Sequence, residues 1–387
     1  MADKSKIIVS GIAFWYPLGG VFWQFLHYLL GLRQLGHDAY YVEDSARDVY
    51  DPSTNDFTPN PDANISAVAP MLEKYGFKDK WCFRSHTSNQ QRCYGLSESE
   101  LNELYHDADA FLNVTGAQEI CDEHLRIPRR IYIETDPVAS QIKVAQGDET
   151  TINHLAAHDC HFTYGENIGR SDCLLPTARF NWFPTRQPII LDSWQHSLPP
   201  GDSYSTITTW KNKGRDITWN GETYYWSKDL EFANFLTLPW QSKVTFELAT
   251  NPDPTSKTLL EKNGWRIIPS IALSLDFNRY RDYIQSSRGE FTVAKDQNIR
   301  LKSGWFSDRS ACYLASARPV ITQETGFSNH LPTGQGLFAF RTMQDILFAL
   351  DKIESDYPKA SRAALDIAHS HFSAQVVLQS LLSRAGL

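Results

Sequence analysis

The sequence predicts an α/β protein of two domains, and three observations support this prediction. The chain has 387 residues, more than the roughly 250–300 at which a single hydrophobic core stops growing. Short apolar strand patterns alternate with helical patterns along the chain, as they do where helices connect parallel strands. Residues 183–188 contain two prolines and no hydrophobic period, and they separate an earlier alternation from a later one.

The first strand and helix are predicted from a stretch that contains no charged residues. Residues 7–32 contain no Asp, Glu, Lys or Arg, a length that also suits a membrane span or a signal peptide. A proline and two glycines, Gly19 and Gly20, interrupt this stretch, and its pattern changes from strand-like to helical. We therefore predict a strand at 6–12, a glycine loop and a helix at 21–35, with no transmembrane span.

The later elements follow from the same two patterns. Further strands of the first half are predicted at 39–42, 110–114, 130–133 and 160–164. Strands of the second half are predicted at 204–209, 243–248, 265–268, 289–293, 319–321 and 338–340, with helices at 276–287, 309–316, 343–355 and 359–382. Ligands of open α/β sheets bind outside the carboxyl ends of the strands. The turns after these strands are therefore the places where function is expected.

Composition narrows the classes of partner. The net charge of −8 argues against broad nucleic-acid binding. Hydrophobic residues make up 42% of the chain, enough for packed cores rather than disorder. The six cysteines form no Cys-x-x-Cys pair, which argues against a structural zinc site and fits a reducing compartment. We expect a cytoplasmic protein.

Residues 302–321 carry the most chemical information, because they indicate a glycine loop, a helix, a tight turn and a buried strand. Ser307 or Asp308 suits the N-cap of this helix, and a helix N-terminus suits a phosphate. Arg309 and Ser310 add a guanidinium fork and a hydroxyl. An ordinary capped helix, with Arg309 in a surface ion pair, explains the same residues without a ligand.

A carboxylate also follows the next predicted strand. Glu324 precedes a glycine turn, where a carboxylate can accept hydrogen bonds from sugar hydroxyls. A solvated loop acid is the alternative interpretation.

The order of these pieces resembles the donor-binding half of glycosyltransferases of the GT-B fold, bacterial members with a Gly-Trp-Phe-Ser-Asp-Arg-Ser motif in particular. The run that carries the resemblance extends from Gly304 through Pro319 to Thr325-Gly326-Phe327, and then to residues 337–340 and a helix. The resemblance implies two facing Rossmann-like domains. The implied boundaries are an acceptor domain at 1–183, a linker at 184–194, a donor domain at 195–370 and a final helix at 371–387 that crosses back to the first domain.

The resemblance also implies the ligands. The co-substrate is a UDP-, GDP- or dTDP-sugar, no other cofactor or metal is expected, and the activity is of the hexosyltransferase type. Gly19 and Gly20 form the matching loop of the first domain. Lys211 and Lys213 lie in a loop that approaches the donor phosphates in this fold, unless they belong to a solvated basic loop. The implied donor-binding residues are Lys211, Ser303, Gly304, Trp305, Ser307, Asp308, Arg309, Ser310, Glu324, Thr325, Gly326 and Phe327.

The sequence departs from both common patterns of the fold. Two glutamates spaced eight apart are frequent in retaining members, and those positions hold Gly304 and Cys312 here. Inverting members often carry His-Gly-Gly, where this chain has Ser303-Gly304-Trp305. The stereochemical outcome is therefore open.

An inverting reaction needs a general base for the acceptor hydroxyl. Asp136, in the turn after a predicted strand, is the leading candidate, and the alternative is an acid that caps the following helix. His27 is a weaker candidate because it lies on an apolar helix, where a lone histidine is usually packed. His154 and His158 are spaced i, i+4, but no glutamate between them supplies the base of a zinc-protease motif.

Two other functions stay open, since fold alone does not decide function. A nucleotide-sugar epimerase has the same double fold, and a two-domain scaffold needs no turnover. The acceptor is either a small molecule or a glycan. Aromatic residues near the N-terminus suit an apolar or planar acceptor, and they equally suit a core. The sequence does not indicate the oligomeric state.

Overall fold

A computed structural model describes residues 4–87, 90–195, 198–212 and 214–387. The strands are β1 (Lys6–Ser10), β2 (Asp38–Glu43), β3 (Val49–Asp51), β4 (Asp56–Thr58), β5 (Trp81–Thr87), β6 (Gln90–Gly95), β7 (Ala110–Val114), β8 (Arg129–Glu134), β9 (Cys160–Thr163), β10 (Trp182–Pro184), β11 (Ser203–Ile207), β12 (Ile217–Trp219), β13 (Glu222–Tyr224), β14 (Thr245–Ala249), β15 (Arg266–Ile268), β16 (Gly289–Thr292), β17 (Val320–Gln323) and β18 (Leu337–Phe340). The helices are α1 (Gly19–Gln34), α2 (Asp62–Lys74), α3 (Glu98–Asp107), α4 (Ala139–Ala145), α5 (Glu149–Ala156), α6 (Asp229–Ala233), α7 (Leu238–Gln241), α8 (Pro254–Lys262), α9 (Ser270–Ser274), α10 (Phe277–Ser286), α11 (Asp296–Arg300), α12 (Asp308–Ala315), α13 (Met343–Ser355), α14 (Tyr357–Ile367) and α15 (Ala374–Ala385).

Two sheets organise the chain. The first has the order β10-β9-β8-β7-β1-β2-β5-β6, and the second has the order β15-β14-β11-β16-β17-β18. Their strand pairs are parallel, apart from the antiparallel pair of β5 with β6. In each sheet the chain starts in the middle and reverses direction of growth beside its first strand, which is the doubly wound Rossmann arrangement. The predicted α/β class with parallel sheets is confirmed.

Several elements were not predicted, for physical reasons. The hairpins β3–β4 and β12–β13 have strands of three residues, too short to show an alternating pattern. The helix predicted at 359–382 is instead α14 and α15, separated by one π-helical turn at Ala368–Phe372. The chain bends there because Ser373 forms a parallel bridge with Ile189.

Helix α1 explains the stretch without charge. Its side chains are buried on nearly all sides, so no face of it needs charge. Trp23 donates a hydrogen bond to the carbonyl of Phe277 in the second domain, 2.8 Å away. On another side, a Cβ at Gly31 would lie 2.5 Å from Leu378 of α15. Among the helices of the described ranges, none is long and apolar enough to span a membrane.

The chain passes between the two sheets at two adjacent places. The first passage lies at 184–194, and the second leads into α15. Ile189 N donates to Phe372 O at 2.7 Å, and Ala374 N donates to Ile189 O at 2.9 Å. The two passages are therefore bonded to each other, and α15 packs beside α1.

Candidate functional site

Two cavities lie between the carboxyl ends of the two sheets, and both domains line each of them. We name the cavity of about 670 Å³ the polar cavity and the cavity of about 980 Å³ the apolar cavity. Tyr16 lines both, so the cavities are neighbours. The polar cavity is lined by Ile12, Trp15, Tyr16, Gln24, Arg47, Thr115, Gly116, Ala117, Tyr132, Glu134, Thr135, Asp136, Ala139, Ser140, Lys143, Gly214, Arg215, Asp216, Ile217, Trp226 and Gln297. The apolar cavity is lined by Tyr16, Leu18, Gly20, Val21, Tyr50, Asn55, Ile207, Thr208, Thr209, Trp210, Lys211, Asn251, Asp253, Pro269, Ser270, Ile271, Ala272, Ser274, Leu275 and Tyr280.

The end of β8 supplies the first carboxylate of the polar cavity. One oxygen of Glu134, Oε2, accepts hydrogen bonds from Gln141 Nε2 and Thr163 Oγ1, each at 2.7 Å. The other oxygen, Oε1, is buried and has no hydrogen-bond partner among the described residues. Burial raises the pKa of Glu134 to about 7. This carboxyl is therefore fixed in orientation and titrates near neutral pH.

Asp136, two residues later, connects the domains. Its Oδ2 accepts hydrogen bonds from Lys295 Nζ at 2.5 Å and from Trp226 Nε1 at 3.0 Å, both in the second domain. Its Oδ1 is buried, and no described residue bonds to it. The predicted base is thus held by a cation on one oxygen while the other oxygen stays available.

Buried polar atoms without a hydrogen-bond partner concentrate around the polar cavity. An unpaired buried donor or acceptor costs about 1–3 kcal/mol, so each one calls for an explanation. Within the described ranges, six such atoms belong to residues that line this cavity: Trp15 Nε1, Gln24 Nε2, Thr115 Oγ1, Glu134 Oε1, Asp136 Oδ1 and Gln297 Oε1. A ligand rich in hydroxyl groups would satisfy donors and acceptors of this kind.

Two largely buried lysine side chains lie near these atoms. Lys228 is only 6% exposed, and its ammonium makes no hydrogen bond within the part of the chain that is described. Burial, reinforced by Arg309 and Lys295, holds its pKa well below the usual range. Lys228 and Lys295 lie 5.9 and 6.0 Å from the ring of Trp305. A buried lysine with cationic neighbours and no partner suits an anionic ligand.

The predicted donor residues at the start of α12 face inward. Arg309 donates to Glu290 at 2.6 Å, to the Ile207 carbonyl at 2.6 Å and to Thr292 at 3.0 Å. Ser307 stands at the N-cap position without a side-chain hydrogen bond. Burial raises the pKa of Asp308 to about 7, and Ser310 Oγ is buried with no partner in the described chain. Residues 307–310 line neither the polar nor the apolar cavity.

Residues 303–305 form a seam between the domains. Ser303 donates to Asn298 at 2.7 Å, and a Cβ at Gly304 would lie 2.4 Å from the Asn167 backbone of the first domain. Trp305 Nε1 donates to the carbonyl of Thr135, 3.0 Å away. This seam therefore touches the turn that carries Asp136.

The other predicted donor residues are placed apart from each other. Thr325 donates to the Trp305 carbonyl at 2.6 Å, and Phe327 is buried. Glu324 accepts from Gly326 N at 2.5 Å, and both residues line a further cavity of about 370 Å³. Lys211 lines the apolar cavity and pairs with Asp253 at 3.2 Å. Lys213 lies outside the described residues.

Two predictions in the first domain concern α1. His27 Nε2 accepts a hydrogen bond from Trp194 Nε1 at 2.8 Å, and burial lowers the pKa of His27 to about 3. His27 lines neither the polar nor the apolar cavity. Gly19 and Gly20 pack against Tyr280 of the second domain, and Gly20 lines the apolar cavity.

The histidines near α5 are packed against each other and against Tyr132. Within the described chain, no group of three or more His, Cys, Asp or Glu side chains is placed to hold a metal ion.

Five residues in or beside the polar cavity were not among the sequence predictions: Glu134, Trp226, Lys228, Lys295 and Gln297. Glu134 is the last residue of β8, and Lys295 follows the end of β16. Because ligands of open α/β sheets bind outside the carboxyl ends of the strands, the positions of both residues could have indicated the site. Trp226 and Lys228 lie after the short hairpin β12–β13, where no strand pattern indicates a site.

Comparison with known proteins supports the fold. No protein-family model and no curated protein matches the sequence. Among solved structures, an alpha-glucosyltransferase in complex with UDP and a 13-mer DNA superposes with a TM-score of 0.60 at 9% identity, over 99% of this chain and 100% of that one. HepE of Anabaena, in complex with UDP and glucose, gives 0.56 at 10% identity over 99% of both chains. AviGT4, a glycosyltransferase involved in avilamycin A biosynthesis, gives 0.53 at 10% identity over 98% of this chain and 97% of that one.

The predicted fold, two facing Rossmann-like domains of the GT-B type, is confirmed by these superpositions. The Gly-Trp-Phe-Ser-Asp-Arg-Ser motif and the domain boundaries stay predictions.

Proposed function

We propose that this chain is a glycosyltransferase that moves a hexosyl group from a UDP-sugar to an acceptor hydroxyl at the polar cavity. The observation that carries the proposal is the concentration of unpaired polar atoms in the polar cavity, with the largely buried side chains of Lys295 and Lys228 close to its Asp136. Solved structures of this shape bind UDP or UDP-glucose, which favours uridine among the three predicted nucleotides.

In this proposal Lys228 and Lys295 supply the charge for the donor diphosphate. Both lysines lie beside Trp305, one of the predicted donor residues. The guanidinium of Arg309 bonds to Glu290 instead of reaching the phosphates itself. Fixed cations at a leaving diphosphate stabilise the charge that develops in the transition state.

Asp136 is the proposed general base. As the acceptor oxygen forms a bond to the anomeric carbon, Asp136 Oδ1 takes the hydroxyl proton and the bond to the UDP oxygen breaks. UDP leaves with the electron pair of that bond, next to the two lysines. Glu134, whose free oxygen belongs to the same cavity wall, is a second carboxyl able to bind an acceptor or donor hydroxyl.

Thermal denaturation with UDP tests the donor half of the proposal. A ligand at a hundredfold excess over its dissociation constant stabilises the folded state by about 2.7 kcal/mol. We expect UDP to raise the melting temperature of the wild type and to do so much less in Lys228→Met. The free Lys228→Met protein should itself be at least as stable as the wild type, because a buried polar group without a partner is removed.

Lys257→Met is the matched control, since Lys257 lies on α8 with its side chain 52% exposed. No shift with UDP at about 1 mM, or an equal shift in both variants, contradicts the proposed site. Incubation with UDP-glucose then separates the functions: transfer needs an added acceptor, epimerisation needs none, and a scaffold shows neither.

A further inference from the structure

The apolar cavity has no role in the donor chemistry proposed above. Its walls come from the start of α1, from the ends of β11 and β15, and from α9. Leu18, Val21, Ile207, Ile271 and Leu275 are the large aliphatic side chains of this wall. Leu275 is 44% exposed, so apolar surface here faces solvent. A cavity of about 980 Å³ is at the upper end of the size range of small-molecule sites.

The apolar cavity carries no charge that is free to meet a ligand. Its two charged residues, Lys211 and Asp253, pair with each other at 3.2 Å. Asp253 also caps α8 by accepting from Ser256 N at 3.0 Å. The polar cavity, by contrast, is lined by six charged residues, three basic and three acidic: Arg47, Lys143, Arg215, Glu134, Asp136 and Asp216. A diphosphate therefore finds its counter-charge beside the polar cavity, and a neutral ligand matches the apolar one.

Aromatic rings join the two cavities. Tyr16 lines both of them, and its ring lies 5.5 Å from that of Tyr50 on the hairpin β3–β4. The Tyr50 hydroxyl donates to Asn55 at 2.8 Å, whereas the Tyr16 hydroxyl makes no hydrogen bond within the described residues. Aromatic rings that carry a single hydroxyl group favour ligands that are themselves planar and mostly apolar.

We propose that the apolar cavity binds the acceptor, and that this acceptor is a neutral, ring-containing, hydrophobic small molecule with a hydroxyl group. The hydroxyl reaches the polar cavity past Tyr16, where the sugar is transferred. This inference rests on the proposed function, and it selects a hydrophobic small molecule over a glycan, the other acceptor class that the sequence leaves open.

Binding of 2-naphthol, followed by its own fluorescence in the absence of donor, tests the inference. We expect saturable binding to the wild type and binding at least about tenfold weaker in Leu275→Glu, because a charge in an apolar wall must be desolvated by the ligand. Leu259→Glu is the matched control: Leu259 is 50% exposed, lies on α8 of the same domain and does not line the cavity. It should bind 2-naphthol like the wild type.

UDP stabilisation, measured on the same three proteins, keeps the two proposals apart. A normal UDP shift without 2-naphthol binding, or with equal binding in Leu275→Glu, overturns the acceptor site and leaves the transferase standing. Binding of 2-naphthol without any UDP effect overturns the transferase, and it leaves the apolar cavity as a hydrophobic binding site that is not an acceptor site. With UDP-glucose present, mass spectrometry should show naphthyl glucoside. Transfer to maltose that Leu275→Glu does not impair contradicts the inference.

Discussion

The end of β8 and the start of α12 meet across the gap between the domains, where Trp305 Nε1 donates to the Thr135 carbonyl. Both places carry a carboxylate with a pKa near 7, Glu134 in one and Asp308 in the other. At β8, each of two carboxylates keeps one oxygen unpaired beside the polar cavity. At α12, the donors of Arg309 are all directed to groups of their own domain.

The difference originates in a neighbour that is distant in sequence. Glu290 lies on β16 with no exposed surface, and a buried carboxylate needs a counter-charge. Arg309 meets that need, so its guanidinium supports the fold. The carboxylates at β8 are held by neutral donors or by the other domain. Each of them, like Glu290, has one oxygen without a partner, but the carboxylates at β8 line the polar cavity and Glu290 does not. Polar side chains at a strand end or a helix start indicate a ligand site only if other residues of the protein do not already bond to them.

The largest expected effect is that of Asp136→Asn on turnover. Removing the base should lower the rate of transfer roughly 10²–10⁴-fold, whereas UDP should still stabilise the folded state, because the diphosphate supplies Lys295 with the negative charge that Asp136 no longer provides. Steady-state kinetics and UDP melting curves measure the two effects.

Asp122→Asn, on the exposed surface, is the control for Asp136→Asn and should behave like the wild type. Near-normal turnover in well-folded Asp136→Asn would move the role of base to Glu134.

The second prediction concerns Arg309→Met, which should lower the free energy of unfolding by about 3–5 kcal/mol, the usual result of leaving one buried charge without its partner. Adding Glu290→Gln removes the stranded charge and should restore much of that stability. Denaturant titration of the two variants measures both changes. A variant that keeps its stability but loses the UDP shift would instead place Arg309 on the donor, and the contrast between α12 and β8 would disappear.

The third prediction is the pH dependence that Glu134 confers. The folded state keeps a proton on Glu134 up to about pH 7, whereas the ordinary value is 4.5. Its contribution to stability is therefore complete below about pH 4.5 and is lost as the pH rises through about 7. Between about pH 4.5 and about pH 8, the free energy of unfolding of Glu134→Gln should rise by about 3 kcal/mol relative to the wild type.

Denaturant titrations at several pH values follow this difference. Glu149→Gln, exposed on α5, serves as the control and should track the wild type at every pH. If the difference in free energy of unfolding between Glu134→Gln and the wild type does not change with pH, burial does not raise the pKa of Glu134.

The smallest effect is expected for Trp305→Phe. This change removes one hydrogen bond across the domains, worth about 1 kcal/mol, and keeps an aromatic ring near the two lysines. We expect a slightly less stable protein with an unchanged kcat and a small increase in KM for the donor. Trp240→Phe, 66% exposed, is the control. A large fall in kcat would mean that the seam positions Asp136 during the reaction.

Local sequence patterns predicted most of the strands and helices but only part of the candidate site. The alternation of strand and helix patterns predicted the two sheets, and the position of Asp136 just after a strand predicted its place at the site. Both predictions depend on residues that are close in sequence. Lys228 and Trp226 follow a hairpin of six strand residues, which has no recognisable period. The roles of Arg309 and His27 depend on Glu290 and Trp194, and pairing over such distances leaves no local mark in a single sequence.

The packing of α15 on α1 has a consequence for biosynthesis. Residues 19–34 are made well before Leu378, which covers the side of α1 at Gly31. The first domain therefore needs α15, which follows the second domain in the chain, before its core is complete, although domains commonly fold in the order of synthesis. A fragment ending at the linker should aggregate on release, and a peptide of residues 374–385 supplied in trans should rescue its solubility.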